Sequence, residues 1–154
     1  MNLSELPKRL LGGFRRGTPV IIQSEAAECG LACMAMVASH HGHALDLPAM
    51  RHRFSTSLKG MALKDLLKVG GDLKLSTRAV RLELSDLGKL QLPCILHWNH
   101  NHFVVLTRVG ANGVTIHDPA TGSRKLPYSE VSKRFTGVAL EAWPNELFTK
   151  KNER

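Results

Sequence analysis

The sequence predicts an α+β domain, with helices first and a mostly antiparallel sheet after them. Three observations carry this. The run from Cys29 to Ala38 is apolar almost all round, which is the pattern of a buried helix. The C-terminal third breaks into short apolar runs separated by turn residues. Between two of those runs stands Gly110-Ala111-Asn112-Gly113, a hairpin signal whose Asn-Gly pair suits positive φ values.

Taken in order, residues 1–18 read as a basic N-terminal extension, with a short helix expected over Leu3–Leu11. Pro19–Gln23 reads as a short extended run. Ser24 is the expected N-cap of the central helix, and Glu25 and Glu28 suit its first turn. That helix runs to about Ser39 and ends at His40-His41-Gly42. Asp46 caps a second helix over Leu47–Phe54, with Pro48 tolerated in its first turn. Leu63, Leu66, Leu67 and Val69 line a third helix, stopped by Gly70-Gly71. A strand follows over Leu75–Leu84, then a short helix or loop over Asp86–Leu92. Pro93–Trp98, Phe103–Val109, Val114–His117 and Val138–Trp143 are the remaining strands, with a short helix over Tyr128–Phe135. The domain proper spans 19–144, and 145–154 is a polar tail.

At 154 residues the chain fits one domain with a real core. Its formal net charge is +8, from 21 Lys and Arg against 13 Asp and Glu. Aromatics are 5%, and no basic strand carries the aromatic platform that stacks bases, so nucleic-acid binding is not expected. A basic surface also suits an anionic membrane face. Three cysteines are an odd number and suit a reducing compartment. The N-terminus has no continuous apolar core of the kind a signal peptide needs. No run approaches the ~20 apolar residues of a membrane span.

Cys29 opens the buried helix. A helix N-terminus stabilises a thiolate, which is the nucleophilic form of cysteine. Gln23, six positions upstream, offers a side-chain amide which, with the Cys29 backbone N–H, can supply two donors to a developing oxyanion. Of the eight histidines, His102 is best placed to act as base, because it heads an apolar strand. The hairpin at 110–113 returns Asp118 towards the level of His102, where a carboxylate would orient the imidazole. Each residue also has a plainer reading: a buried structural Cys, a loop Gln, and a turn Asp in Asp118-Pro119-Ala120-Thr121-Gly122. Cys33 and Cys94 fit only the structural reading. The spacing of His97, His100 and His102 could place two imidazoles on one side of a strand, but no Cys-x-x-Cys pair or His-Glu-x-x-His helix supports a metal. Together Cys29, His102 and Asp118 have the layout of a papain-like cysteine peptidase.

At these residues the chain resembles the bacteriocin-processing, double-glycine-leader cysteine peptidase domains of ABC exporters, of which the colicin V exporter is a representative. The resemblance covers about residues 19–144. It rests on Gln23, Glu28, Cys29, Gly30, Ala32 and Met36, then on Asn101-His102-Phe103-Val104-Val105, and then on Asp118-Pro119-Ala120 with Gly122. It implies a papain-like fold and cleavage of a bacteriocin or microcin-type precursor after a Gly-Gly pair. It implies Cys29 as nucleophile, His102 as base and acid, Asp118 as its orienter and Gln23 in the oxyanion hole, with no cofactor and no metal. It implies the cytosolic face of the bacterial inner membrane and, as partners, the precursor and the transmembrane and nucleotide-binding parts of an exporter, which the tail at 145–154 would lead to. The excised domain is expected to be a monomer. The alternative is a non-catalytic cargo-binding domain of such an exporter. The presence of nucleophile, base, acid and amide argues for the peptidase.

Overall fold

A computed structural model of the protein describes residues 17–55 and 60–154. The apolar run forms helix α1 (Cys29–His40), buried from Cys29 to Ala38. Strand β1 (His43–Leu45), helix α2 (Leu47–Arg53) and helix α3 (Leu63–Asp72) pack around it. Asp46 caps α2 as expected, accepting from the Ala49 N–H at 3.0 Å.

The rest of the chain builds a six-stranded sheet: β2 (Leu75–Arg81), β3 (Cys94–Trp98), β4 (His102–Val109), β5 (Gly113–Asp118), β6 (Gly122–Pro127) and β7 (Phe135–Pro144). The order is β2-β7-β3-β4-β5-β6, and every neighbouring pair is antiparallel. A 3-10 turn (Leu84–Lys89) and helix α4 (Tyr128–Arg134) fill two connections. Alternation along the strands divides the core in two. Ile95, Phe103, Val105 and Leu140 pack with α1, while Cys94, Leu96, Val104, Leu106 and Ile116 pack with Leu87 and Val131. The α+β expectation therefore holds. Strand β8 (Lys151–Glu153) pairs in parallel with β1, and Glu153 takes the buried His43 Nε2 and Arg53 Nη1, both at 2.6 Å.

Several local expectations need correction. Ser24 does not cap the central helix. A 3-10 turn (Ala26–Glu28) precedes α1, and the Ser24 hydroxyl instead accepts from Arg51 Nη2 at 3.1 Å. Gly70-Gly71 does not stop α3, which continues to Asp72 and ends where Lys74 takes a φ of 66°. The hairpin at 110–113 closes with a Gly110 N–H to Gly113 carbonyl bond of 2.8 Å, but neither Asn112 nor Gly113 has positive φ. A four-residue loop of this kind is built without the primed turn that two-residue hairpins need. The strand from Leu75 stops at Arg81, not Leu84. Strands β1, β6 and β8 were not anticipated. Of these, β6 lacks apolar alternation: only Leu126 in Gly-Ser-Arg-Lys-Leu-Pro is buried. Pro19–Gln23 joins no sheet, and the expected helix over Leu3–Leu11 lies outside the described residues.

Gly70 and Gly71 lie side by side in α3 but in opposite surroundings. A Cβ on Gly70 would meet Thr77 Cγ2 at 2.6 Å and Met34 Cε at 3.3 Å, whereas one on Gly71 would meet nothing within 4 Å. Alanine improves helix propensity over glycine by about 1 kcal/mol at either position, but overpacking costs about 1–3 kcal/mol. Gly71→Ala should therefore raise stability, and Gly70→Ala should lower it. Urea denaturation of the two variants measures both signs, and equal effects would refute the packing argument.

Candidate active site

Cys29 is 5% exposed and begins α1. It opens onto a cleft of about 960 Å³. One wall is the 3-10 turn, through Ala26 and Ala27. The α3 side contributes Gly60, Met61, Ala62, Leu63 and Asp65, and the β3–β4 hairpin contributes His97, His100, Asn101, His102 and Phe103.

His102 is the first residue of β4, so its ring reaches the end of the sheet, where α1 begins. Its Nε2 is 2.7 Å from Asp118 Oδ1. With that nitrogen engaged, Nδ1 is left to face Cys29, which lines the same cleft. Burial pulls the imidazole down. Hydrogen bonds with Asp118 and Cys29, and the negative charge of both, outweigh it and carry His102 up to about 9. Burial pushes the Asp118 carboxyl up. The bond from His102, the Ala120 N–H at 2.9 Å and the charges of His102 and Arg124 bring it below its ordinary value. The arrangement favours an imidazolium next to a carboxylate, with a sulfur on the other side of the ring.

The register explains how the two meet. In β4–β5, Val105 pairs with His117 and Leu106 with Ile116, but Arg108 pairs with Thr115. One extra residue, Thr107, bulges out of β4. Extending the inner register sets Asp118 opposite Val104, diagonal to His102 and on its side of the ribbon. Without the bulge, Asp118 would stand opposite Val105 and point to the other face.

Gln23 is placed differently. Its backbone N–H donates to the Pro119 carbonyl at 2.8 Å, which ties it to the turn that follows Asp118. Its side chain does not line the cleft, and its Oε1 is buried with no hydrogen-bond partner. The structure thus brings Cys29, His102 and Asp118 together. It anchors the main chain of Gln23 beside them without setting the amide in the cleft.

The other cysteines and histidines are distinct. Cys33 and Cys94 are fully buried, and burial raises both thiols. His97 Nδ1 bonds Thr136 Oγ1 at 2.8 Å, and His100 sits in a tight loop with a φ of 69°. Among the described residues, no group of three or more His, Cys, Asp or Glu side chains could hold a metal ion.

Sequence reasoning missed two things. The cleft wall from Gly60 to Asp65 carried no signal, because apart from Asp65 its lining residues are small or apolar. The partner of Glu28 was also missed. The Glu28 carboxylate does not simply face a helix dipole but bonds back to the Ser24 and Glu25 N–H groups, each at 3.1 Å, and to Arg51. Arg51 lies 23 residues away on another helix.

The sequence profile of the Peptidase C39 family matches residues 17–147. The chain is 47% identical over 141 residues to the probable microcin-H47 secretion/processing ATP-binding protein of Escherichia coli, covering 92% of this chain and 20% of that one. It is also 47% identical over 135 residues to the colicin V secretion/processing ATP-binding protein of Escherichia coli, covering 88% and 19%. The chain thus spans about a fifth of the length of these relatives. Among solved structures, it superposes on a double glycine motif protease from an AMS/PCAT transporter in complex with the leader peptide. There the TM-score is 0.79 and the identity 38%, with 85% of this chain and 94% of that one covered. The peptidase domain of Streptococcus ComA, described as a bi-functional ABC transporter, shares the fold with a TM-score of 0.76 at 23% identity, over 84% of this chain and 100% of that one.

His102 is raised from its ordinary 6.5 to about 9 by its folded surroundings. Its contribution to stability is therefore fully present below about pH 6.5 and is lost as pH rises through about 9. Asp118, which is lowered, contributes above its ordinary value of 3.8, and that contribution is lost as pH falls through its depressed value. By NMR, the His102 ring should titrate near pH 9 in the parent and clearly lower in Asp118→Asn. An unchanged titration in the variant would show that the carboxylate does not govern the ring.

Proposed function

The chain belongs to the Peptidase C39 family, a family of cysteine peptidases, and we propose that it removes the leader of a bacteriocin or microcin-type precursor by cutting after a Gly-Gly pair. The observation that carries this reading is the position of His102, hydrogen-bonded to the Asp118 carboxylate and lining one cleft with Cys29. The 38% identity to a double glycine motif protease solved with its leader peptide supports the choice of substrate.

In this mechanism, the Cys29 thiolate attacks the carbonyl carbon of the second glycine. The negative charge that forms on the oxygen is met by the Gln23 amide once its side chain turns into the cleft, and by the Cys29 backbone N–H, which in the free fold donates to the Ala26 carbonyl. His102 gives its proton to the leaving amine as the C–N bond breaks, leaving a thioester on Cys29. His102 then takes a proton from water, whose oxygen displaces the sulfur and releases the leader as a carboxylic acid. Asp118 holds the ring in orientation and stabilises its charged form. Small residues on the cleft wall, Ala26, Ala27 and Gly60, suit a substrate segment without Cβ atoms. The donor this reading assigns to Gln23 is its amide Nε2, on a residue whose main chain is tied to Pro119 beside the site.

The relatives of comparable sequence are secretion/processing ATP-binding proteins, and this domain acts as the processing part of such an exporter, on the cytosolic face of the membrane. Among the described residues, no helix is long and apolar enough to cross a membrane. A net charge of +8 suits a position near anionic headgroups.

Cys29→Ala should abolish cleavage of a peptide spanning a Gly-Gly leader end while circular dichroism stays unchanged. Cys33→Ala should keep most activity. The reverse pattern would overturn the assignment of the nucleophile.

Gln23→Ala should lower kcat by about 10²–10³ with little change in KM, because an oxyanion donor binds the transition state and not the ground state. A pure KM effect in steady-state kinetics would reduce Gln23 to a substrate contact.

A further inference from the structure

One carboxylate closes the turn that leads into α1. Glu28 is 6% exposed and directly precedes Cys29. Its Oε1 accepts the Ser24 N–H at 3.1 Å, the Glu25 N–H at 3.1 Å and Arg51 Nη2 at 2.9 Å, while its Oε2 accepts Arg51 Nε. The same Nη2 donates to Ser24 Oγ at 3.1 Å. Arg51 belongs to α2, which packs on α1. A guanidinium fork from a neighbouring helix therefore grips a carboxylate one peptide bond from the sulfur. Ala26 and Ala27, inside the gripped turn, form the cleft wall beside Cys29.

We infer that Glu28 and Arg51 are positioning residues for the peptidase reaction, a role that rests on the reading of Cys29 as nucleophile. The pair acts in two ways. First, the carboxylate ties down two backbone N–H groups of the turn, so it fixes the chain path that sets the Cys29 sulfur at the cleft. Second, a bare carboxylate next to Cys29 opposes the thiolate, and Arg51 cancels that charge where it arises. The fork geometry matters for the first effect and the charge for the second, so Lys at position 51 serves only the second. An ion pair of purely structural value would change stability alone. Both effects proposed here reach the chemistry of the sulfur.

The test uses Arg51→Met, Arg51→Lys and Glu28→Gln. Kinetics on a Gly-Gly peptide give kcat and KM. The rate of Cys29 alkylation by iodoacetamide as a function of pH, with the modified residue identified by mass spectrometry, reports on the sulfur without any peptide substrate. Arg51→Met should lose about ten- to a hundredfold in kcat with a smaller change in KM. Its alkylation curve should move to higher pH. Glu28→Gln keeps an acceptor oxygen for the turn and leaves the guanidinium uncancelled, so its curve should move to lower pH. Arg51→Lys should lose kcat with its curve near that of the parent. If Arg51→Met does not fold, Glu28→Gln and Arg51→Lys carry the same contrast. Curves for the folded variants that superpose on the parent, or that all move the same way, overturn the inference. A parent protein that alkylates normally at Cys29 but does not cut the peptide sinks the Gly-Gly reading instead, and the two failures are distinct.

Discussion

The 2.7 Å contact between His102 and Asp118 is the interaction on which the rest of the site depends. It fixes which ring nitrogen is occupied, so it also decides which nitrogen faces Cys29. It holds the imidazole charged against the cost of burial, which alone would favour the neutral form. The contact in turn depends on one residue of register. Thr107 is extra in β4, and its displacement puts Asp118 on the side of the ribbon that His102 occupies. The Thr107 hydroxyl donates to the Thr115 carbonyl at 3.2 Å, so the bulge has its own bond across the pair. A feature five residues along β4 from His102, and opposite positions two to three residues before Asp118 on β5, thus determines whether they meet.

The sulfur reaches this pair by a different route. Cys29 is carried by a helix whose burial comes from the core it shares with Phe103 and Val105. Those two residues follow His102 on the same strand. The helix and the strand are therefore held relative to each other by packing within a few residues of the groups that must meet. Interiors are dense enough that such packing leaves little freedom to slide. The N-terminal strap adds to this. The His117 Nδ1–H donates to the Pro19 carbonyl at 3.0 Å, and the Gln23 N–H donates to the Pro119 carbonyl. Both bonds lie next to Asp118, so the segment leading to the cysteine is fastened to the strand end that carries the acid.

Much of this was legible in the sequence, for physical reasons that differ by element. Helix α1 was legible because its burial is all round and needs no phase. The Asp46 cap was legible because capping is local chemistry. The residue types at 29, 102 and 118 were legible because a thiol at a helix start, a histidine at a strand start and an acid after a hairpin are each readable alone. What was not legible depends on distance in the chain or on shape. Register in β4–β5 depends on a bulge without a Gly or Pro to mark it. The glycines at 70 and 71 looked like a stop, but Gly70 serves close packing against Thr77 and Met34, and helix α3 runs on. The short strand β8 has only three residues, and its partner β1 lies more than a hundred positions away. No local pattern encodes that pairing. Arg51 gave no signal because it reads as one more exposed helix cation until the turn folds against it.

The same distinction bears on how the site divides its work. The three side chains of the proposed triad come from the first residue of a helix, the first of one strand and the last of another. Element ends are where side chains can point along an axis into open space, while the bodies of those elements stay packed. Ends are also where backbone groups lack regular partners, and two of the three ends here are closed by a side chain. Glu28 closes the turn before α1, and Asp118 closes its own turn through the Ala120 N–H. Asp118 therefore does two jobs with a single oxygen, since Oδ1 accepts from both Ala120 and His102. The turn sets the carboxylate, and the carboxylate sets the ring. Turn residue and orienting acid, which were alternatives in the sequence, are in the folded chain one and the same arrangement.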